Sequence, residues 1–187
     1  MTSEFVLKPT SALFLDRDGV INERKIGGYI LSYSEFQFKD GVKQALKMLA
    51  RHFSYIFIVT NQQCIGKKLI TEEDFEALTD LMVKDIEAGG GRIDKVYHCP
   101  DLKTQSSPNR KPNVGMAFMA ARDFPQIVFS HSVMVGDTMP DMIFGKRCGM
   151  TTIFIDNGTE TDVDSQMTDM TFKTLLQFAE YIENNNL

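Results

Sequence analysis

Five short apolar runs rich in Val, Ile and Phe recur along the chain: ALFL at 12–15, YIFIVT at 55–60, KVYHC at 95–99, SVMVGD at 132–137 and TTIFID at 151–156. Runs of this length without polar alternation suit strands covered on both faces, as in parallel sheets. Helical patterns lie between and after them. GVKQALKMLARHF places Val42, Leu46, Leu49 and Phe53 at helical spacing. TEEDFEALTDLMVKDIEAGGG has Thr71 as an N-cap, Asp74 three residues on and glycines at its end. VGMAFMAARDFP, DMIFGKRCGM and LLQFAEYIENN supply three more, with the Met and Phe residues of the first read as core and the terminal Asn-Asn-Asn-Leu expected to fray. Strands alternating with helices predict an α/β fold, an open doubly wound, Rossmann-like and mainly parallel sheet. In such sheets ligands bind beyond the carboxyl ends of the strands, so the polar residues that follow each run should share one edge.

At 187 residues the chain suits one domain, expected to span 1–187. A net charge of −5 argues against nucleic acid as a partner, because sequence-independent affinity for phosphate backbones needs an excess of Lys and Arg. It does not exclude a small phosphorylated substrate. The N-terminal MTSEFVLKPTSALFL lacks the basic-then-apolar order of a secretory signal, and nothing approaches the roughly 20 apolar residues of a membrane span. A cytoplasmic monomer is expected. Cys64, Cys99 and Cys148 are too irregularly spaced for a disulfide framework, and Asn157-Gly158-Thr159 reads as a turn after a strand.

Asp16 and Asp18 follow the first run, Thr60 and Asn61 end the second, Arg110 and Lys111 close a long loop, and Asp137 and Asp141 follow the fourth run. Singly, each has a plain structural reading: acids after strands cap helices, Thr-Asn can form a turn, and a lysine before a proline can be a solvated loop charge. Their order and strand context together point to chemistry. Three or four carboxylates at one edge repel each other unless a cation sits among them, and a hard divalent ion with oxygen ligands, Mg2+, resolves that conflict. Lys111 and Arg110, with Thr60 and Asn61 as donors, could hold phosphate oxygens. Asp16 could then attack phosphorus while Asp18, two residues on, handles protons. The irregular segments 22–38 and 100–113 are candidate binding loops.

The stretches DRDGV at 16–20, TN at 60–61, RKP at 110–112 and GDTMPD at 136–141 resemble the motifs of the haloacid dehalogenase superfamily of phosphohydrolases. FLDRDGVIN, VTNQQCIGKKLITEEDF and RKPNVGM are similar to the subgroup of heptose bisphosphate and histidinol-phosphate phosphatases. That resemblance implies Asp16 as nucleophile, Asp18 as general acid and base, and Asp16, the Asp18 carbonyl and Asp137 as Mg2+ ligands. It implies Thr60, Asn61 and Lys111 on the transferring phosphate, Arg110 on the rest of the substrate, and an assisting role for Asp141. Segment 22–38 is too short for an inserted cap domain. Many subgroup members carry a structural zinc on the loop before RKP. Here Asp101, Ser107 and Asn109 stand where three ligands would be, so no zinc is expected and other contacts must hold the loop. Cys64, where a glycine is common, is read as incidental.

The expected activity is that of a Mg2+-dependent phosphomonoesterase working through an aspartyl-phosphate on a small phosphorylated metabolite, a heptose bisphosphate or histidinol phosphate. A bisphosphate calls for basic contacts in segment 22–38 and an imidazole-bearing cation for acidic ones; Glu23, Arg24 and Lys25 offer both. A non-enzymatic alternative is a phospho-acceptor signalling module. Such a module has no need of an acid at position 18, whereas a phosphatase uses one to turn over the acyl phosphate.

Overall fold

Strand β1 (Ala12–Leu15) lies inside a six-stranded sheet of order β3-β2-β1-β4-β5-β6, in which every pairing is parallel. The structure, a computed structural model, describes residues 7, 8 and 10–185. The other strands are β2 (Tyr55–Asn61), β3 (Lys95–Cys99), β4 (Val133–Gly136), β5 (Thr151–Ile155) and β6 (Met170–Phe172). The helices are α1 (Val42–Leu49), α2 (Gln63–Gly66), α3 (Glu72–Ala88), α4 (Gly115–Asp123), α5 (Met139–Cys148) and α6 (Leu175–Asn184).

The unbroken apolar runs follow from this layering. Successive strand side chains point to opposite faces. Leu13 and Leu15 therefore join Ile56, Ile58, Val133 and Val135 beneath α1, α3 and α6. Ala12 and Phe14 join Phe57, Val59 and Met134 beneath α4 and α5. Phe14 is fully buried with its ring 5.2 Å from that of Phe57, so truncating it to alanine should cost about 3–5 kcal/mol.

The expected open parallel α/β sheet is the observed one, with local differences. β6 was not anticipated: only three residues long, it pairs with β5 at the sheet edge and has no continuous apolar run. α1 stops at Leu49, where the chain turns through Arg51 and His52 while Phe53 still packs into the core. α3 starts as predicted, the Thr71 side chain accepting from the Asp74 N–H at 3.1 Å. On α4 the core reading holds for Met116 and fails for Phe118, which is 61% exposed. Of the terminal asparagines, Asn184 ends α6 and Asn185 donates from its side chain to the Tyr181 carbonyl; residues 186 and 187 lie outside the described residues. Among the described residues no helix is long and apolar enough to cross a membrane.

Segment 22–38 is a flap pinned at its base. The Glu23 N–H donates to the Gln37 carbonyl at 2.8 Å and the Lys39 N–H to the Ile21 carbonyl at 2.9 Å. Ile30 and Phe36 anchor it in the core, while residues 25–28 are exposed.

Candidate active site

β1 and β4 are neighbours at the point where the strand order turns from descending to ascending. Just beyond their carboxyl ends stand Asp16 and Asp137, and the first turn of α5 adds Asp141. All three are buried, and each offers an oxygen within 4.8 Å of the others. Gly19 makes this closeness possible: a Cβ there would lie 1.9 Å from Asp137 Oδ2, and its φ of +98° suits glycine. The 100–113 loop delivers Lys111, whose Nζ lies 2.8 Å from Asp16 Oδ1, 2.6 Å from Asp141 Oδ1 and 2.6 Å from the Val59 carbonyl it donates to. Asp141 is also committed to α5 as half of a capping box, accepting from Thr138 N–H and Oγ1 at 3.1 and 2.6 Å. Its placement is that of an anchor for Lys111.

Three buried carboxylates face two cations, Lys111 and Arg24. Burial pushes the Asp16 carboxyl up to about 7, against the pull of Lys111 and with the push of Asp141 and Asp137. Burial likewise raises Asp137 to about 6, opposed by Arg24 and reinforced by Asp141. Burial alone would lower Lys111, but the Asp141 and Asp16 carboxylates reverse that and hold it firmly protonated.

Asp18 sits in a different environment. Burial would raise its carboxyl, yet Arg17, Asn22 and Gln62 outweigh that and hold it below the usual carboxylate range. Arg17 Nη2 donates to both carboxylate oxygens at 2.9 Å, Asn22 Nδ2 to Oδ1 at 3.0 Å and Gln62 Nε2 to Oδ2 at 2.9 Å. Arg17 is itself buried, 5.6 Å over the Phe75 ring of α3. Cys64 is not incidental here: its buried thiol donates to Gln62 Oε1 at 3.5 Å, which orients the Gln62 amide toward Asp18.

Asp16, Asp18, Thr60, Asn61, Arg110, Lys111 and Asp141 line one cleft of about 840 Å3, with Asp137 buried behind it. Thr60 Oγ1 accepts from Gln62 Nε2, which leaves its own hydrogen free to point into the cleft. Asn61 departs from its expected role as a phosphate donor: its side chain accepts from Lys111 N–H at 3.0 Å and donates to the Lys111 carbonyl at 3.1 Å, clamping the backbone that carries the lysine. Arg110 donates to the Asp101 carbonyl at 3.1 Å. In the loop before it, Cys99 Sγ lies 3.6 Å from both Asp101 Oδ2 and Ser107 Oγ, Ser107 Oγ accepts from the Asn109 N–H, and Asn113 Nδ2 donates to the Ser107 carbonyl. Hydrogen bonds among the substituted residues thus hold the loop.

Several site residues were not singled out from sequence. Asn157, just after β5, donates to Asp137 Oδ2 at 2.8 Å, and Gly158, Thr159 and Glu160 beyond it line the cleft. The signal was the one that flagged Asp137, a polar residue directly after a strand, but a turn reading absorbed it. Arg24 was the other. Its Nη2 lies 2.7 Å from Asp137 Oδ1, 2.8 Å from the Asp18 carbonyl and 3.8 Å from Asp16 Oδ2. Three hard oxygen donors therefore converge on one point, a donor set that suits a divalent cation such as Mg2+.

A parallel α/β sheet with a buried Asp-Lys-Asp cluster at its switch point and a second aspartate beside it defines a hydrolase of the haloacid dehalogenase (HAD) type. A sequence model of the HAD-hydrolase-like family matches residues 108–177. D-glycero-alpha-D-manno-heptose-1,7-bisphosphate 7-phosphatase of Campylobacter jejuni is 36% identical over 170 residues, 90% of this chain and 95% of that protein. D-glycero-beta-D-manno-heptose-1,7-bisphosphate 7-phosphatase of Vibrio cholerae is 38% identical over 148 residues, 75% of this chain and 78% of that protein. The crystal structure of D,D-heptose 1,7-bisphosphate phosphatase from B. bronchiseptica, complexed with magnesium and phosphate, has a TM-score of 0.86 at 24% identity over 94% of this chain and 99% of that one. A HAD-like phosphatase structure from Mesorhizobium loti has a TM-score of 0.78 at 27% identity, over 96% and 89%. The chain belongs to the HAD-type phosphatases, in the family of these relatives, and is a phosphoric monoester hydrolase.

Proposed function

We propose that this protein is a Mg2+-dependent phosphatase that removes the 7-phosphate from a D-glycero-D-manno-heptose 1,7-bisphosphate through an aspartyl-phosphate on Asp16. The observation that carries the reading is the buried Asp16–Lys111–Asp141 chain opening onto a cleft of about 840 Å3. The substrate assignment rests on the relatives at 36–38% identity. Arg110 and Lys25 on the cleft wall favour a second phosphate over an imidazole-bearing cation, since Arg110 is bonded to a carbonyl and keeps its full charge.

Asp16 attacks phosphorus, and the P–O bond to the sugar breaks. Lys111 and the Thr60 hydroxyl take up charge on the phosphoryl oxygens, in a pocket dry enough for each contact to count. Mg2+, held by the Asp16 and Asp137 carboxylates and the Asp18 carbonyl, adds fixed positive charge beside those oxygens. Asp18 gives a proton to the leaving alkoxide and then takes one from the water that cleaves the acyl phosphate. In the free protein its donors keep Asp18 ionised; an incoming phosphoryl dianion raises its proton affinity and prepares it to act as an acid.

Phosphate release with Mg2+ from heptose 1,7-bisphosphate, histidinol phosphate and common sugar phosphates tests the reading. The heptose should be turned over at least about tenfold faster than the others, and Asp16→Asn should be inactive. Equal silence of wild type and variant on every compound would sink it; preference for histidinol phosphate would reassign the substrate.

A further inference from the structure

Arg24 occupies the meeting point of the three oxygens that the proposed metal reading assigns as ligands. One guanidinium nitrogen makes all three approaches, at 2.7, 2.8 and 3.8 Å. Its Nε is buried and has no hydrogen-bond partner, so the group is seated by its tip alone. Arg24 also stands where the flap changes character. Asn22 before it and Ile30 after it are buried, whereas residues 25–28 are exposed, with Ile26 88% exposed and Gly27 at a φ of +71°. The side chain can therefore leave without unpacking the core.

We propose that Arg24 is a resident counter-cation that competes with the divalent metal for these oxygens. Metal loading then displaces the guanidinium into the cleft whose wall its own flap forms. The reason is mutual exclusion. A magnesium–oxygen bond is about 2.1 Å, so the ion and Nη2 cannot share the same oxygens, and their like charges forbid close neighbours. With Arg24 seated, the buried carboxylates keep a partner at all times. The cost is apparent metal affinity: a site free of its competitor only about a tenth of the time binds about tenfold more weakly. The inference rests on the Mg2+-dependent reading above.

The test is titration calorimetry of Mg2+ into the metal-stripped full chain, comparing wild type with Arg24→Ala, Arg24→Gln and Lys25→Ala. Lys25→Ala removes the same charge from the flap, where Lys25 pairs with Glu35, without touching the three oxygens. Both Arg24 variants should bind Mg2+ about tenfold more tightly than wild type, with Lys25→Ala within about threefold of it. Mg2+ should also raise the melting temperature of the Arg24 variants more than that of wild type, a readout independent of turnover. Should Arg24→Ala not fold when stripped, Arg24→Gln carries the comparison. Equal or weaker binding by the Arg24 variants, or equal tightening by Lys25→Ala, overturns the competition and leaves the Mg2+ reading standing. Absence of Mg2+ binding in all four proteins overturns both.

Discussion

Asp16 shows how a single residue carries both function and instability. Burial and the neighbouring Asp141 and Asp137 raise it to about 7, from an ordinary value of 3.8, although Lys111 touches it. A carboxyl raised by folding binds its proton more tightly in the folded chain than in the unfolded one. Its contribution to stability is therefore complete below about pH 4 and is lost as the pH rises through about 7. Asp16→Asn lacks that dependence. In EDTA, the variant should gain on wild type by at least about 1 kcal/mol between pH 4 and pH 8, as read by urea unfolding at both. A gap that stays constant or narrows would contradict the environment described for Asp16. Lys111 belongs to the same balance, since removing it would strand two buried carboxylates and cost on the order of 3–5 kcal/mol.

At the scale of elements, the site is an assembly of loops fastened to one sheet edge. Tyr29 of the flap accepts hydrogen bonds from Gln63 Nε2 and Lys67 Nζ, both at 2.9 Å, while Gln63 Oε1 accepts from the Lys103 N–H of the following loop at 3.2 Å. One phenol thus ties the flap to α2, and α2 to the loop that delivers Arg110 and Lys111. Tyr29→Phe removes the two hydrogen bonds and keeps the ring. Steady-state kinetics should show KM rising about threefold to tenfold with kcat changed less than twofold, because the phenol orders the substrate wall and touches no reacting atom. A fall in kcat at constant KM would place Tyr29 in the chemistry instead.

On the scale of the whole molecule, the first and last elements share one core. Leu13 and Leu15 of β1 pack in the same cluster as Leu46 and Leu49 of α1 and Phe178 and Ile182 of α6. We infer a single folding unit over 1–187. Urea unfolding followed by far-UV circular dichroism and by tyrosine fluorescence, in a chain with five tyrosines and no tryptophan, should give coincident transitions. Deleting the chain from Thr174 onward should abolish cooperative unfolding by stripping cover from Leu46 and Leu49. Separate transitions, or a truncated chain that still unfolds cooperatively, would argue for two units.

The sequence by itself determined the sheet, its parallel pairing and the edge on which Asp16, Asp18, Lys111 and Asp137 would meet. Apolar runs without alternation admit few other burials, and a strand's last residue fixes which edge the next one reaches. It could not reveal β6, whose three half-exposed residues depend on pairing with β5 for their conformation. Nor could it assign partners. That Asn61 clamps the Lys111 backbone, that Cys64 orients Gln62, that Asn157 braces Asp137 and that Arg24 meets three oxygens are matters of ångströms between segments distant in sequence. Strand and helix propensities are set by neighbours a few residues away, whereas a hydrogen bond or an ion pair exists only once the folded chain has placed both of its ends.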